Sequence, residues 1–193
     1  MRICRTNRDA VSRNRWGFAM LAALVLAFPC HAAGDSPIKS ITVKYEGGTY
    51  ITDMVMSAAV PVPLAWEVLT DFDQMAKFVP NVAESKILKK EGDSVTVEQK
   101  GQAKFGAASF PYVTERLLVL NKPTIKSTQT KGSMKRVESL MKVDVDGEGT
   151  KLTYHSEIVP SFLASTVMSE AFLTHEFTEQ FTAIISEMTK RKK

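Results

Sequence analysis

Few residues in this sequence could do acid–base or metal chemistry, and their spacing is poor for it. Beyond residue 33 there are two histidines, His155 and His175, and the second lies beside Glu176 and Glu179. Neither histidine belongs to an HxxxH or HxxE pair, so the spacing does not favour a metal site. An acid–base role for His175 is an alternative to the commoner half-buried helix histidine. His155 is predicted to lie on a solvated face.

Other groups of residues that could carry out catalysis are also few. Glu115 and Arg116 are adjacent and are predicted to pair with each other within a strand. The sequence contains no Gly-rich phosphate loop and no nucleophile elbow. Its cysteines, Cys4 and Cys30, both precede residue 33, so they supply neither a thiolate nor a disulfide to the rest of the chain. We therefore predict no metal, no cofactor and no catalytic residue, and the residues favour a binding protein over an enzyme.

The N-terminal segment has the pattern of a secretory signal. Five arginines precede an uncharged apolar run, Trp16–Phe28, which is followed by small residues up to Ala33. Such a run is too short to span a bilayer, which needs about 20 apolar residues. We predict a signal over 1–33 that is cleaved after Ala32 or Ala33, and hence a periplasmic protein. An uncleaved anchor is the alternative.

Loss of this segment changes the charge of the chain. The whole sequence has 25 basic and 21 acidic residues, but residues 1–32 hold five of the basic and one of the acidic residues. The remainder is neutral overall, so the basic isoelectric point does not indicate a nucleic-acid partner.

Alternating apolar and polar residues predict a long sheet. Ile38–Tyr45 and Thr49–Val60 flank Gly47-Gly48, a typical hairpin turn. Six more strands are predicted, at about 83–90, 93–105, 108–120, 123–130, 134–145 and 150–159. Because the turns between them are short, neighbouring strands must run antiparallel.

The C-terminal region has helical spacing instead. Apolar residues recur every three or four positions over about 161–190, with Ser161 or Ser165 as the predicted cap. The basic end, Lys190–Lys193, complements the helix dipole and could also make a transient contact with an anionic membrane surface. A long antiparallel sheet covered by one long helix predicts an α+β domain over 38–190.

The stretch Val60–Pro80 joins the second strand to the rest of the sheet. Its prolines end the strand and begin a helix over about 63–70, and Thr70 or Asp71 is predicted to cap a second short helix. This stretch resembles the START-like, helix-grip (SRPBCC) superfamily, and within it the polyketide cyclase/dehydrase and coenzyme-Q-binding START-type subgroup. The matching residues are Val60, Pro61, Pro63, Trp66, Val68, Leu69, Asp71, Phe72, Phe78 and Pro80.

The resemblance covers about residues 50–190. It implies a curved sheet wrapped around the C-terminal helix and a lipid, quinone or polyketide-like ligand between them. A cyclase or dehydratase acting on a pocket-bound substrate is the first alternative. A scaffold with a filled core is the second.

Small and polar residues interrupt the bulky ones on the predicted inner face, which favours a cavity over a solid core. Gln99, Tyr112 or Tyr154 would orient a ligand there. The residues predicted to line the cavity are Gln99, Gly101, Phe110, Tyr112, Gln129, Met141, Tyr154, Met168, Phe172 and His175.

Overall fold

Eight antiparallel strands form one open sheet in residues 36–193, the part of the chain that this computed structural model describes. The predicted signal segment, residues 1–33, lies outside the described residues. The strand order is β1-β2-β8-β7-β6-β5-β4-β3, so β1 and β3 are the edges. The strands are β1 Ile38–Glu46, β2 Thr49–Ala58, β3 Val82–Glu91, β4 Ser94–Phe105, β5 Ala108–Asn121, β6 Thr124–Gly132, β7 Arg136–Asp146 and β8 Gly149–Val159.

Three helices accompany the sheet. Helix α1 spans Val62–Thr70, α2 spans Met75–Phe78 after a 3₁₀ turn, and α3 spans Glu170–Arg191. None of the described helices is both long enough and apolar enough to cross a membrane. The architecture confirms the predicted α+β helix-grip fold, with a curved antiparallel sheet around a long C-terminal helix.

The long helix begins later than the sequence pattern predicts. Ser169 is its N-cap, and the Ser169 hydroxyl accepts a hydrogen bond from the Phe172 N–H at 3.1 Å. The predicted caps Ser161 and Ser165 are wrong, because both lie in a connection that contains a short 3₁₀ turn, Ala164–Thr166. This connection places apolar residues at helix-like spacing without being a helix.

Asp71 also has a different partner from the one predicted. It provides no side-chain cap to the turn that follows it, and its carboxylate instead lies 2.8 Å from Nη1 of Arg191. Nearby, Nζ of Lys192 donates to the Ala59 carbonyl at 2.6 Å. The C-terminal end of α3 is therefore attached to the α1 side of the molecule.

The core lies between the inner face of the sheet and α3. Met54, Met56, Val68, Leu152 and Met188 are fully buried there. One row across this face is polar, because residues of four adjacent strands lie directly opposite one another. Starting from β2 and ending at β6, they are Thr52, Ser156, Ser139 and Ser127. Hydroxyls in place of large aliphatic side chains leave space above this row.

Candidate functional site

A cavity of about 250 Å³ lies between the inner face of the sheet and α3. Its volume is just below the range usual for drug-sized ligands, about 300–1,000 Å³. The wall is mostly apolar, with Phe72 and Met75 from the short helical segments and Phe177, Phe181 and Ile184 from α3. The sheet contributes polar groups, namely Gln99, Tyr112, Thr114, Arg116, Ser127, Gln129, Ser139 and Tyr154. The structure therefore lacks the filled core that a pure scaffold would have between the sheet and α3 in the described residues.

Arg116 is the one cation of this wall among the described residues. Alternation along β5 directs Tyr112, Thr114 and Arg116 to the same inner face. Nη2 of Arg116 donates to Oε1 of Gln99, whereas its buried Nε has no partner in the described part of the chain. No carboxylate of residues 36–193 forms an ion pair with it. Burial lowers the pKa of Arg116, yet an arginine stays protonated, so the cavity contains an unneutralised positive charge.

Gln99 is held in the orientation that presents its oxygen to this charge. Its Nε2 donates to the Ser85 hydroxyl at 3.0 Å and contacts Sδ of Met75 at 3.3 Å. Because the amide nitrogen is engaged by β3 and α2, the amide oxygen faces Arg116. The polar end of the cavity is therefore preorganised by neighbouring elements.

Two tyrosines flank the same region. Oη of Tyr112 donates to the Asn81 carbonyl at 3.1 Å, and burial raises the pKa of Tyr112 to about 12 although Arg116 opposes the rise. Burial also raises the pKa of Tyr154, which lies in the same wall. Both side chains are neutral phenols near pH 7. Each phenol has one O–H to donate, which Tyr112 already gives to the Asn81 carbonyl, and neither is a base there.

The predicted pair of Glu115 with Arg116 is wrong. Successive residues of a strand point to opposite faces, so the two side chains are separated by the sheet. Glu115 accepts from the Thr130 hydroxyl at 2.8 Å and lies 3.1 Å from Nζ of Lys131 on the outer face.

The structure brings half of the predicted lining residues together. The cavity wall contains Gln99, Tyr112, Gln129, Met141 and Tyr154. It does not contain Gly101, Phe110, Met168, Phe172 or His175. A ligand contact by any of the ten stays a prediction.

Close packing explains why Gly101 is outside the cavity. A Cβ at this position would lie 1.9 Å from the Asn81 carbonyl oxygen and 2.7 Å from the ring of Tyr112. The space that the missing side chain leaves is therefore occupied by neighbouring groups, and no ligand volume results. Phe110 is partly buried and packs against the core.

The other three residues lie toward the N-terminal half of α3. The Met168 carbonyl accepts from Oη of Tyr50 at 2.9 Å, and the Phe172 ring packs edge-on against Phe105 with centroids 6.3 Å apart. His175 is half-exposed, with its Nε2 3.4 Å from Glu179. His155 lies on the outer face, as predicted, where it is half-exposed and its Nδ1 lies 2.8 Å from Oδ1 of Asp53.

His175 and its acidic neighbours could in principle hold a metal. His175, Glu176 and Glu179 offer ligand atoms within 4.8 Å of one another. Both oxygens of buried Glu176 already accept hydrogen bonds, from the Lys104 N–H at 2.8 Å and from Nδ2 of Asn81 at 2.5 Å. Glu176 is therefore already engaged in attaching α3 to the strand end.

Sequence reasoning misses Arg116, although a signal for it exists. Alternation assigns Phe110, Tyr112 and Thr114 to one face of the strand, and the same alternation extended by two residues reaches Arg116. The adjacent acid suggests a pair along the strand instead. The apolar stripe of α3 includes Phe181 and Ile184, but the stripe alone does not reveal a cavity above them.

A curved antiparallel sheet, a long helix across its inner face and a cavity between them define the helix-grip fold. The chain belongs to the family described as polyketide cyclase / dehydrase and lipid transport, whose family model matches residues 51–188. Among curated protein sequences, none matches this chain.

Solved structures share the fold at low sequence identity. An aromatase/cyclase, ZhuI of Streptomyces sp. R1128, is 16% identical over 75% of this chain and 96% of its own, with a TM-score of 0.61. A START superfamily protein of Mycobacterium smegmatis is 11% identical over 72% and 97%, with a TM-score of 0.62. A STAR-related lipid transfer protein of Xanthomonas axonopodis is 14% identical over 77% and 98%, with a TM-score of 0.56.

Proposed function

We propose that this protein binds a small amphipathic anion, with the apolar part in the cavity and the anionic group on Arg116. The observation that carries the proposal is the cation in the apolar wall, for which the described residues supply no counter-ion. Taking a charge out of water is costly unless it is paired, so such a charge is best explained by a partner that arrives with the ligand.

The geometry suits a carboxylate or another compact oxyanion. Arg116 has a donor without a partner in the described chain, and a planar guanidinium can hold two oxygens side by side. Tyr154 belongs to the same cavity wall as Arg116 and is a neutral donor at neutral pH. The apolar wall would contribute about 25 cal/mol per Å² of ligand surface that it buries.

This charge distinguishes between the ligand classes that the family resemblance implies. A neutral quinone could accept hydrogen bonds from the same groups, but it would leave the buried charge uncompensated. A lipid-derived or polyketide-like acid would neutralise it. We therefore propose an acid, and not a neutral molecule, as the ligand.

Paired ligands test the proposal directly. Isothermal titration calorimetry should show that decanoate binds about 10-fold or more tightly than decanol or methyl decanoate, because a charge-assisted hydrogen bond contributes roughly 1.5–3 kcal/mol. Arg116→Met should remove the preference for the acid. Lys126→Met, at an exposed outer-face position, is the matched control and should keep it. Equal affinity for acid and ester in the unmodified protein would contradict the proposal.

A cyclase is the second candidate, since Arg116 with the neutral phenol of Tyr154 could stabilise a developing enolate. Such a reaction also needs a base, and the cavity wall of the described chain contains no histidine and no carboxylate. Conversion of a polyketide-like thioester mimic that is lost in Arg116→Met would support this alternative over simple binding.

We also propose that binding takes place in the periplasm, on the basis of the signal-like pattern over residues 1–33. Fractionation of an expressing bacterium followed by N-terminal sequencing checks this. The expected first residue is Ala33 or Gly34. Recovery of a chain that begins at Met1 from the membrane fraction would indicate the uncleaved anchor.

A further inference from the structure

The polar residues of the cavity wall lie almost entirely on the side of the sheet. The helical segments supply large apolar side chains, among them Phe72, Phe177 and Phe181, and one polar residue, Gln180. An unbranched fatty acid would match the apolar side of this cavity and would leave most polar groups of the sheet without partners. The asymmetry therefore indicates a ligand that carries oxygen groups along one edge as well as an acid at one end.

Ser127 is the clearest of these unused groups. It is 5% exposed and belongs to the cavity wall, and no residue of the described chain forms a hydrogen bond with its hydroxyl. A buried hydroxyl without a partner costs free energy, and an apolar side chain at the same position would avoid that cost. The hydroxyl of Ser127 is therefore better suited to a ligand than to the fold.

Ser139 places a second hydroxyl beside Ser127. The two residues lie directly opposite each other in the antiparallel pairing of β6 with β7, and both belong to the cavity wall. Cβ atoms of residues paired in this way are about 4.5–5.5 Å apart. A serine hydroxyl can both donate and accept a hydrogen bond. The pair can therefore accept from and donate to one ligand hydroxyl at the same time.

Arg116 lies one strand away from this serine pair. Ser127 is paired with Leu118 of β5, and Arg116 precedes Leu118 by two residues, so it lies on the same inner face. Diagonal neighbours of this kind have Cα atoms about 7–8 Å apart. A carboxylate on Arg116 and a hydroxyl at the serine pair can therefore belong to one ligand, with a few carbon atoms between them.

We propose that the ligand is a hydroxy acid, whose hydroxyl lies part-way along the apolar chain and binds between Ser127 and Ser139. This inference rests on the proposed binding of an acid at Arg116, and it adds the class of acid. It also predicts the sign of an effect. In a purely apolar cavity an added hydroxyl would lose its water without gaining a partner, and it would weaken binding. Here the same hydroxyl should strengthen binding.

Titration calorimetry tests the inference with 3-hydroxydecanoate and 5-hydroxydecanoate, each compared with decanoate. We expect at least one of the two to bind about fivefold tighter than decanoate, the gain that one net hydrogen bond gives. Ser127→Ala should remove this gain and leave the affinity for decanoate close to that of the unmodified protein. Ser139→Ala should reduce the gain as well, so the test does not depend on the folding of one variant.

Thr52→Val is the matched control, because it removes another buried hydroxyl of the same polar row. Thr52 is 0% exposed, its hydroxyl has no partner among the described residues, and it does not belong to the cavity wall. This variant should keep the full gain from the ligand hydroxyl. The inference would be overturned if neither hydroxy acid bound the unmodified protein more tightly than decanoate. A gain that Ser127→Ala and Thr52→Val reduced equally would also overturn it.

Uncharged ligands separate this inference from the proposed function. The decanediol that bears its second hydroxyl at the better of the two positions is compared with decanol. If decanoate and decanol bind equally, but the diol binds more tightly than decanol and loses this gain in Ser127→Ala, the serine site stands and the acid proposal fails. If decanoate is preferred to decanol while the hydroxy acids bind no more tightly than decanoate, the acid proposal stands and the serine site fails.

Discussion

At the scale of single residues, Arg116 is the position where folding and function oppose each other. Its charge lies in an apolar wall with one hydrogen-bond partner, Gln99, and without a counter-ion among the described residues. Replacing a buried charge by an apolar side chain of similar length often stabilises a protein. We expect Arg116→Met to raise the free energy of unfolding of the ligand-free protein by about 1–2 kcal/mol, as measured in urea. A loss of stability would mean that the bond to Gln99 supports the fold.

At Gly101 we expect a substitution to lower the free energy of unfolding. Gly101→Ala would place a Cβ against the Asn81 carbonyl and the Tyr112 ring, so we expect a loss of about 1–3 kcal/mol from overpacking. Gly106→Ala is the control. Gly106 has positive φ and open space around it, so backbone strain alone should cost about 1 kcal/mol. If the two variants unfolded at the same urea concentration, the close approach at Gly101 would not matter.

These two residues show how far sequence reasoning reaches at this scale. Alternation identifies which residues face inward, and it assigns Gln99, Tyr112 and Tyr154 to the inner face correctly. It does not reveal what lies opposite each residue. The sequence therefore suggests empty space at Gly101 although a ring occupies it, and it conceals the partner of Arg116, because Gln99 is 17 residues away.

At the scale of elements, the C-terminal turn of α3 depends on charge. Arg191 lies 3.0 Å from Glu187 and 2.8 Å from Asp71, and hydrogen bonding to Arg191 lowers the pKa of Glu187. A carboxyl with a lowered pKa stabilises the folded state above its unfolded pKa, and this contribution is lost as the pH falls through the folded value. We therefore expect Glu187→Gln to lower Tm at neutral pH and to lose this effect as the pH falls through the lowered pKa of Glu187.

The control for this experiment is Glu148→Gln, in the exposed turn between β7 and β8. It should leave Tm close to that of the unmodified protein at both pH values. A Glu187→Gln deficit that is the same at neutral and acid pH would show that packing, not charge, is what the substitution disturbs.

Elements are easier to predict than their ends. Period-two alternation predicts all eight strands of the described chain, and turn-forming residues predict the connections between them. The predicted start of α3 is wrong because the connection before it places Leu163 and Val167 at helical spacing. Two hydrogen bonds to Ser169 fix the true start, one from the Phe172 N–H to its hydroxyl and one from the Leu173 N–H to its carbonyl. Several serines in this region are equally suitable by type.

At the scale of the whole molecule, the polar row across the inner face keeps volume open that a core would otherwise fill. Ser127→Val adds apolar bulk at the floor of the cavity. We expect the ligand-free protein to gain about 0.5–2 kcal/mol, as cavity-filling changes commonly do, while decanoate affinity falls. Differential scanning calorimetry and titration calorimetry check the two effects.

Ser40→Val is the control for that prediction, because Ser40 is exposed on the edge strand β1. It should leave decanoate affinity unchanged. An increase in stability of Ser127→Val without any loss of affinity would show that the ligand does not use this part of the cavity.

The open sheet leaves two edges, β1 and β3, and their irregularity has a consequence for self-association. Regular edges invite added strands from other chains, which is a common start of aggregation. The pairing of β1 with β2 shifts register between Ile38 and Ser40, and that of β3 with β4 shifts twice. The β3 edge also carries lysines, Lys86, Lys89 and Lys90. Both borders therefore disfavour the addition of a strand from a second copy of the chain.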